Sequence, residues 1–166
     1  MFRSQRVFAC SRLVVNEAIE LNSSEGGMVG LTIDQITVGD SATIVKIISE
    51  ADINVFADVT GDKNPAHIDQ EYASQTFFGG KIAHGMLLAS YISAVIGTRL
   101  PGPGAIYLNQ SLKFLAPARI GDTITAKVEV VSVKLERNRL VLRTSCTNQS
   151  NTLVIDGEAL ISPPKS

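Results

Sequence analysis

Tryptophan is absent and cysteine nearly so: the 166 residues hold only Cys10 and Cys146. Two distant thiols cannot form a disulfide framework, and their spacing matches no metal-ligand pattern, so a stapled secreted fold and a zinc module are both excluded. A reducing compartment fits. Charge of one sign is lacking as well. Fifteen basic side chains against sixteen acidic ones leave a formal net charge of −1, which argues against nucleic acid or a membrane surface as partner. No apolar run reaches the roughly 20 residues that a bilayer-spanning helix needs. The longest candidate, 83–97, falls short of that and reads as a helix buried on most sides. No internal repeat or low-complexity segment is visible. What is present, 45% hydrophobic residues on a chain of single-domain length, suffices for one real core.

The first residues differ from the rest. Segment 1–13 carries Arg3, Arg6 and Arg12 with two serines and several apolar residues, and the first acid is Glu17. That is the composition of a mitochondrial transit peptide; a secretory signal needs a continuous apolar stretch, which the arginines interrupt. The alternative is a disordered tail with chance basicity. Polar residues 22–27 read as linker. The expected division is therefore a presequence and linker over 1–30, directing the protein to the mitochondrial matrix, and a folded domain over 31–166.

Within the domain, 42–48 is β-branched and reads as a strand. Ser49 with Asp52 three positions on makes a capping box, and Ile53, Phe56 and Val59 recur at helical spacing until Gly61 ends the run. A short second helix is expected over 69–76. After Pro101-Gly102-Pro103-Gly104 the pattern turns to strands at 106–114, 123–133, 139–147 and 153–161, expected to form an antiparallel meander. A buried helix followed by long antiparallel strands is an α+β layout.

Histidine is scarce too, with only His67 and His84 present. His67 and Asp62 stand at the two ends of Asp62-Lys63-Asn64-Pro65-Ala66-His67. Proline fixes its own φ and pushes Asn64 out of the helical region, so a carboxylate and an imidazole are presented across a stiffened turn as an acid/base pair. Separately, each has a plainer reading: Asp62 as a turn residue, His67 as a hydrogen-bonded core histidine. Asn64 either orients the histidine or a water, or closes the turn. His84, at the start of the buried helix, reads as a structural residue rather than a second base. Gly85 follows it where unpaired helix N–H groups point outward, and a glycine there lets a ligand approach closely or lets the helix pack against the sheet.

The run Phe56-Ala57-Asp58-Val59-Thr60-Gly61-Asp62-Lys63-Asn64-Pro65-Ala66-His67, with Ala73 beyond it, resembles the signature of the MaoC-like (R)-specific enoyl-thioester hydratases and dehydratases. The resemblance continues through 82–90, 106–114, Pro117 and Gly121-Asp122, covering roughly 35–162. One departure is Ala66, where this group usually carries a larger aliphatic residue, which bears on pocket shape. The resemblance implies a single hot-dog domain, a long central helix wrapped by an antiparallel sheet. It implies Asp62 and His67 as the catalytic pair, the Gly85 amide as the donor to the thioester carbonyl, and Ser93 at a polar position near the site. Ser93 also reads simply as a small residue that packs. No metal or redox cofactor is implied.

The reaction expected is reversible dehydration of (R)-3-hydroxyacyl thioesters to trans-2-enoyl thioesters. With the presequence, the first reading is a dehydratase acting on acyl-carrier-protein substrates in mitochondrial fatty acid synthesis, resembling the type 2 mitochondrial dehydratases. The alternative is an (R)-specific enoyl-CoA hydratase of fatty acid oxidation or polyester precursor supply. A hot-dog thioesterase or a silent acyl-binding module has little use for the set Asp62, Asn64, His67 and Gly85. Ala66, Ile96 and Leu100 are expected to set pocket depth. Lys81, Lys113 and Arg119 either meet the phosphates of a carrier arm or are solvated surface. A domain of this kind leaves an edge strand open, and the resembling proteins join two sheets there, so a homodimer is expected.

Overall fold

The structure, a computed structural model, describes residues 29–165. The expected presequence and linker, and Cys10 with them, lie outside the described residues except for Val29 and Gly30. Those two frame a boundary: the Gly30 N–H donates to the Pro103 carbonyl at 2.9 Å and the Leu31 N–H to Pro101 at 2.8 Å. Gly30 is therefore already tied to the domain. Among the described residues no helix is long and apolar enough to cross a membrane.

Strand β1 (Ser41–Ile47) leads into helix α1 (Glu50–Thr60) through the capping box read from sequence. The Ser49 hydroxyl accepts from the Asp52 N–H at 3.1 Å, and the Asp52 carboxylate accepts the Ser49 N–H at 2.9 Å, so two orphan donors of the first turn are satisfied. The helix stops where Gly61 turns left-handed at φ 76°, a conformation that glycine adopts without a Cβ penalty. The helix expected over 69–76 is present as α3 (Gln70–Ser74), and a further single turn, α2 (Pro65–Ile68), precedes it. Asn64 starts the first, its Oδ1 accepting from the Ala66 N–H at 3.1 Å, and Asp69 starts the second, accepting from Tyr72 at 3.0 Å. The cap at Asp69 starts α3 at the point where the sequence places a helix, and α2 is the turn that the sequence reading did not include.

The long helix α4 (Gly85–Thr98) sends Leu88, Ile92, Val95 and Ile96 into the core. It packs on one five-stranded antiparallel sheet built from β1, β2 (Ile106–Phe114), β3 (Thr123–Lys134), β4 (Arg139–Thr147) and β5 (Leu153–Ser162), in the order β1-β3-β4-β5-β2. Alternation puts Ile124, Ala126, Val128 and Val130 of β3 and Leu140 and Leu142 of β4 against the helix. The helix-on-sheet layout is the one that the resemblance implies.

The meander expectation is corrected. Only β3-β4-β5 form one; β2 lies beyond β5, at the far edge from β1. The reason is the connection 115–122, which is no tight hairpin. Its Ala118 carbonyl accepts from the Ala83 N–H at 2.8 Å, its Gly121 N–H donates to the Ile48 carbonyl at 2.8 Å, and the Ile48 N–H donates to Asp122 at 2.9 Å. Pinned first to the segment before α4 and then to the end of β1, the chain crosses the sheet's end and delivers β3 beside β1.

Candidate active site

Asp62 follows directly on the left-handed Gly61, so the end of α1 fixes where its backbone emerges. Its carboxylate caps its own turn, Oδ1 accepting from the Asn64 N–H at 3.3 Å. His67 sits in the single turn of α2 and aims Nδ1 at the Ile82 carbonyl oxygen, 2.9 Å away. A carbonyl only accepts, so Nδ1 carries the hydrogen and Nε2 presents a lone pair. Asp62 and His67 line one cavity of about 470 Å³ at the start of α4. Both therefore offer acceptors to whatever occupies it. Asn64 spends its side-chain oxygen on the α2 cap, which is the turn-closing role of its two readings.

Gly85 lines the same cavity as the first residue of α4. Its N–H has no protein acceptor among the described residues, and it stands at the positive end of the helix. The space that a side chain would take is filled from β2: a Cβ on Gly85 would lie 2.6 and 2.7 Å from two ring carbons of Phe114. Glycine here admits a neighbouring ring as well as a ligand.

His84 is 1% exposed. It occupies the cap position of α4, yet its ring makes no cap hydrogen bond. Nε2 lies 3.0 Å from the main-chain oxygen of Asp62. The ring stacks on His67 with centroids 3.9 Å apart and a 32° tilt, and touches Phe56 at 4.9 Å on another side. Asp62, His67 and His84 bring one possible ligand atom each to within 4.8 Å of one another. Two imidazoles binding one ion need in-plane lone pairs that converge on it, whereas stacked rings point theirs side by side, so the trio fits a metal poorly.

His84 lines the cavity as well, and the remaining wall is apolar, including Phe78, Met86, Leu88, Leu115, Val154 and Ile155, with Phe77 at the rim and 91% exposed. Sequence reasoning missed these. The aromatic pair Phe77-Phe78 just before Gly79-Gly80 was the one available signal. Val154 and Ile155 come from β5, whose neighbourhood depends on the crossing that the meander reading lacked. Ala66, Ile96 and Leu100 are buried but do not line the cavity, which corrects their expected role in pocket depth. Ser93 is exposed on α4 and is not brought to the cavity. Lys81 is paired with Glu50, Arg119 donates to the Phe78 carbonyl, and Lys113 is exposed on β2; none of the three lines the cavity. Cys146 is no nucleophile, because burial pushes its thiol up to about 12.

Comparison with known proteins bears on what this arrangement does. A family model described as a MaoC like domain matches residues 32–151. An (R)-specific enoyl-CoA hydratase of Rhodospirillum rubrum is 54% identical over 131 residues, 79% of this chain and 90% of the relative. A mitochondrial 3-hydroxyacyl-[acyl-carrier-protein] dehydratase of Arabidopsis thaliana is 37% identical over 127 residues, 75% of each. Among solved structures, an unliganded R-hydratase from Pseudomonas aeruginosa superposes with a TM-score of 0.78 at 44% identity, covering 82% of this chain and 88% of the other.

Proposed function

The chain belongs to the MaoC-like family of enoyl-thioester hydratases and 3-hydroxyacyl-thioester dehydratases, and on that premise we propose that it interconverts trans-2-enoyl-CoA and (R)-3-hydroxyacyl-CoA. It is a hydro-lyase. The observation that carries the finer reading is one cavity lined by the Asp62 carboxylate, His67 with its Nε2 lone pair, and Gly85 with its unpartnered N–H. A water between the two acceptors donates a hydrogen to each and keeps a lone pair for attack on C3. Charge then develops on the thioester oxygen, where the Gly85 N–H and the helix start stabilise it. The pair holds the proton removed from water and returns one to C2; dehydration is the reverse. The proton belongs to the pair rather than to one member.

This order of readings reverses the sequence-based one. The 54% identical relative is named for a CoA substrate, and the carrier-protein enzyme is more distant at 37%. The carrier-protein reading is kept as second because that plant relative is named mitochondrial and because 1–13 is rich in arginine and free of acids. Location in the mitochondrial matrix rests on the same segment; residues 1–28 fused to a fluorescent protein are expected to carry it into mitochondria, and a cytosolic fusion would refute the presequence. The reaction is tested with purified protein on enoyl-CoA and enoyl-carrier-protein substrates of several chain lengths. Loss of the enoyl absorbance, an (R)-3-hydroxyacyl product and faster turnover of the CoA thioester are expected. Release of free thiol as the dominant reaction would replace the hydratase by a thioesterase.

The open edge β2 supports a homodimer. Ile106, Tyr107, Leu108 and Phe114 are exposed along it, and Phe114 is also a wall of the cavity.

A further inference from the structure

We propose that His84 is a positioning residue for the acid/base pair, holding the Asp62 turn through Nε2–H and backing the His67 ring. The inference rests on the hydratase reading. Its basis is that in one three-residue segment the outer two residues each hold one member of the pair and the middle one anchors the segment. The Ile82 carbonyl takes the His67 Nδ1–H at 2.9 Å, the Ala83 N–H is held by Ala118 at 2.8 Å, and His84 Nε2 reaches the Asp62 carbonyl at 3.0 Å. The next residue is Gly85. One short segment thus sets the backbone of the carboxylate, the tautomer of the imidazole and the helix N–H in register with one another.

The bonds that His84 makes and leaves unmade fit this role and no plainer one. A helix-start residue acts by capping, and the His84 ring caps nothing. A second base needs a lone pair open to substrate, and Nδ1 is buried without any partner. Of the two tautomers, only the one with hydrogen on Nε2 satisfies the Asp62 carbonyl. An orphaned buried nitrogen costs stability, so an apolar ring at this place would serve the fold at least as well. What the imidazole adds is the donor. Without it, Asp62 hangs from the end of α1 on its own turn bonds alone, and a shift of about 1 Å at a reacting group lowers turnover by up to roughly 100-fold.

Two variants separate the donor from the ring. His84→Phe keeps an aromatic ring between His67 and Phe56 but has no donor; His84→Gln loses the ring but carries an amide N–H of similar reach. Hydration kinetics and melting are measured on both beside the wild type. The expected result is that His84→Phe melts at or above the wild-type temperature while kcat falls roughly 10- to 100-fold and KM stays within about threefold. His84→Gln is expected to recover most of that kcat. Ring-nitrogen NMR is expected to show hydrogen on His84 Nε2, in a spectrum simplified by there being two histidines. Wild-type kcat in His84→Phe, equal losses in both variants, or hydrogen on Nδ1 alone would overturn the assignment. Should His84→Phe fail to fold, His84→Gln is compared with His84→Leu, and equal kcat in those two overturns it likewise. A wild type without hydration activity would sink the hydratase reading itself, a result distinct from any of these.

Discussion

Two carbonyl oxygens decide what the histidines can do. Ile82 fixes the hydrogen of His67 on Nδ1, and Asp62 fixes that of His84 on Nε2, so each ring has one committed nitrogen. The difference lies in the other nitrogen. Both residues line the cavity with Asp62, but the other nitrogen of His84 is buried without a partner, whereas that of His67 is not. In the proposed reaction, proton transfer is therefore assigned to Asp62 and His67 acting as one unit. Asp62→Asn and His67→Gln preserve size and remove the transfer, and each is expected to lower the hydration rate by roughly 10²- to 10⁴-fold. The double variant is expected to be scarcely worse than the poorer single one, because cooperating catalytic groups are not additive. Losses that multiply in the double variant would show two independent roles. This pair was legible in the sequence because both members, and the proline that stiffens the turn between them, lie within six consecutive residues.

The element that organises the site is the start of α4, and there the sequence told less. It marked Gly85 as a place of close approach but not what approaches. The answer, the Phe114 ring, comes from β2, and its side chain is 54% exposed. Exposure matters, since a ring at the surface can swing outward where a core ring cannot. Gly85→Ala is thus expected to fold, with stability within about 1 kcal/mol of the wild type, because at the first residue of the helix alanine gains little and the ring must move. The added methyl displaces Phe114 from the cavity wall, so kcat/KM is expected to fall about tenfold or more. Unfolding in urea and steady-state kinetics on the same sample separate the two effects, and a variant that keeps full activity would show that the Phe114 wall is dispensable. The capping box, the glycine stop of α1 and all five strands were readable because each is encoded by residues close in sequence. The strand order was not, because it depends on where 115–122 is pinned, and those anchors at Ala83 and Ile48 lie tens of residues away. The cavity walls from β5 were lost with it.

At the scale of the whole molecule, both sheet edges expose apolar side chains beside a lysine, Val45 and Ile47 with Lys46 on β1, and Ile106, Tyr107, Leu108 and Phe114 with Lys113 on β2, but only β2 borders the cavity. Strand β2 also carries an irregularity: Tyr107 pairs with Ile161 and Asn109 with Leu160, leaving the exposed Leu108 without an opposite residue on β5. Apolar side chains on an edge continuous with the mouth of a cavity are costly to leave in water, and a second copy is expected to cover them while extending the sheet. Leu108 offers a clean test, because the ladder within the chain does not use it. The wild type is expected to sediment as a dimer at micromolar concentration, and so is the protein shortened to 29–166, since Gly30 and Leu31 keep their bonds to Pro103 and Pro101. Leu108→Lys places a charge at the joint and is expected to shift the population toward monomer, with activity falling in step because Phe114 walls the cavity from the same strand. A wild type that remains monomeric would remove the dimer, and a dimer indifferent to Leu108→Lys would move the interface to another face.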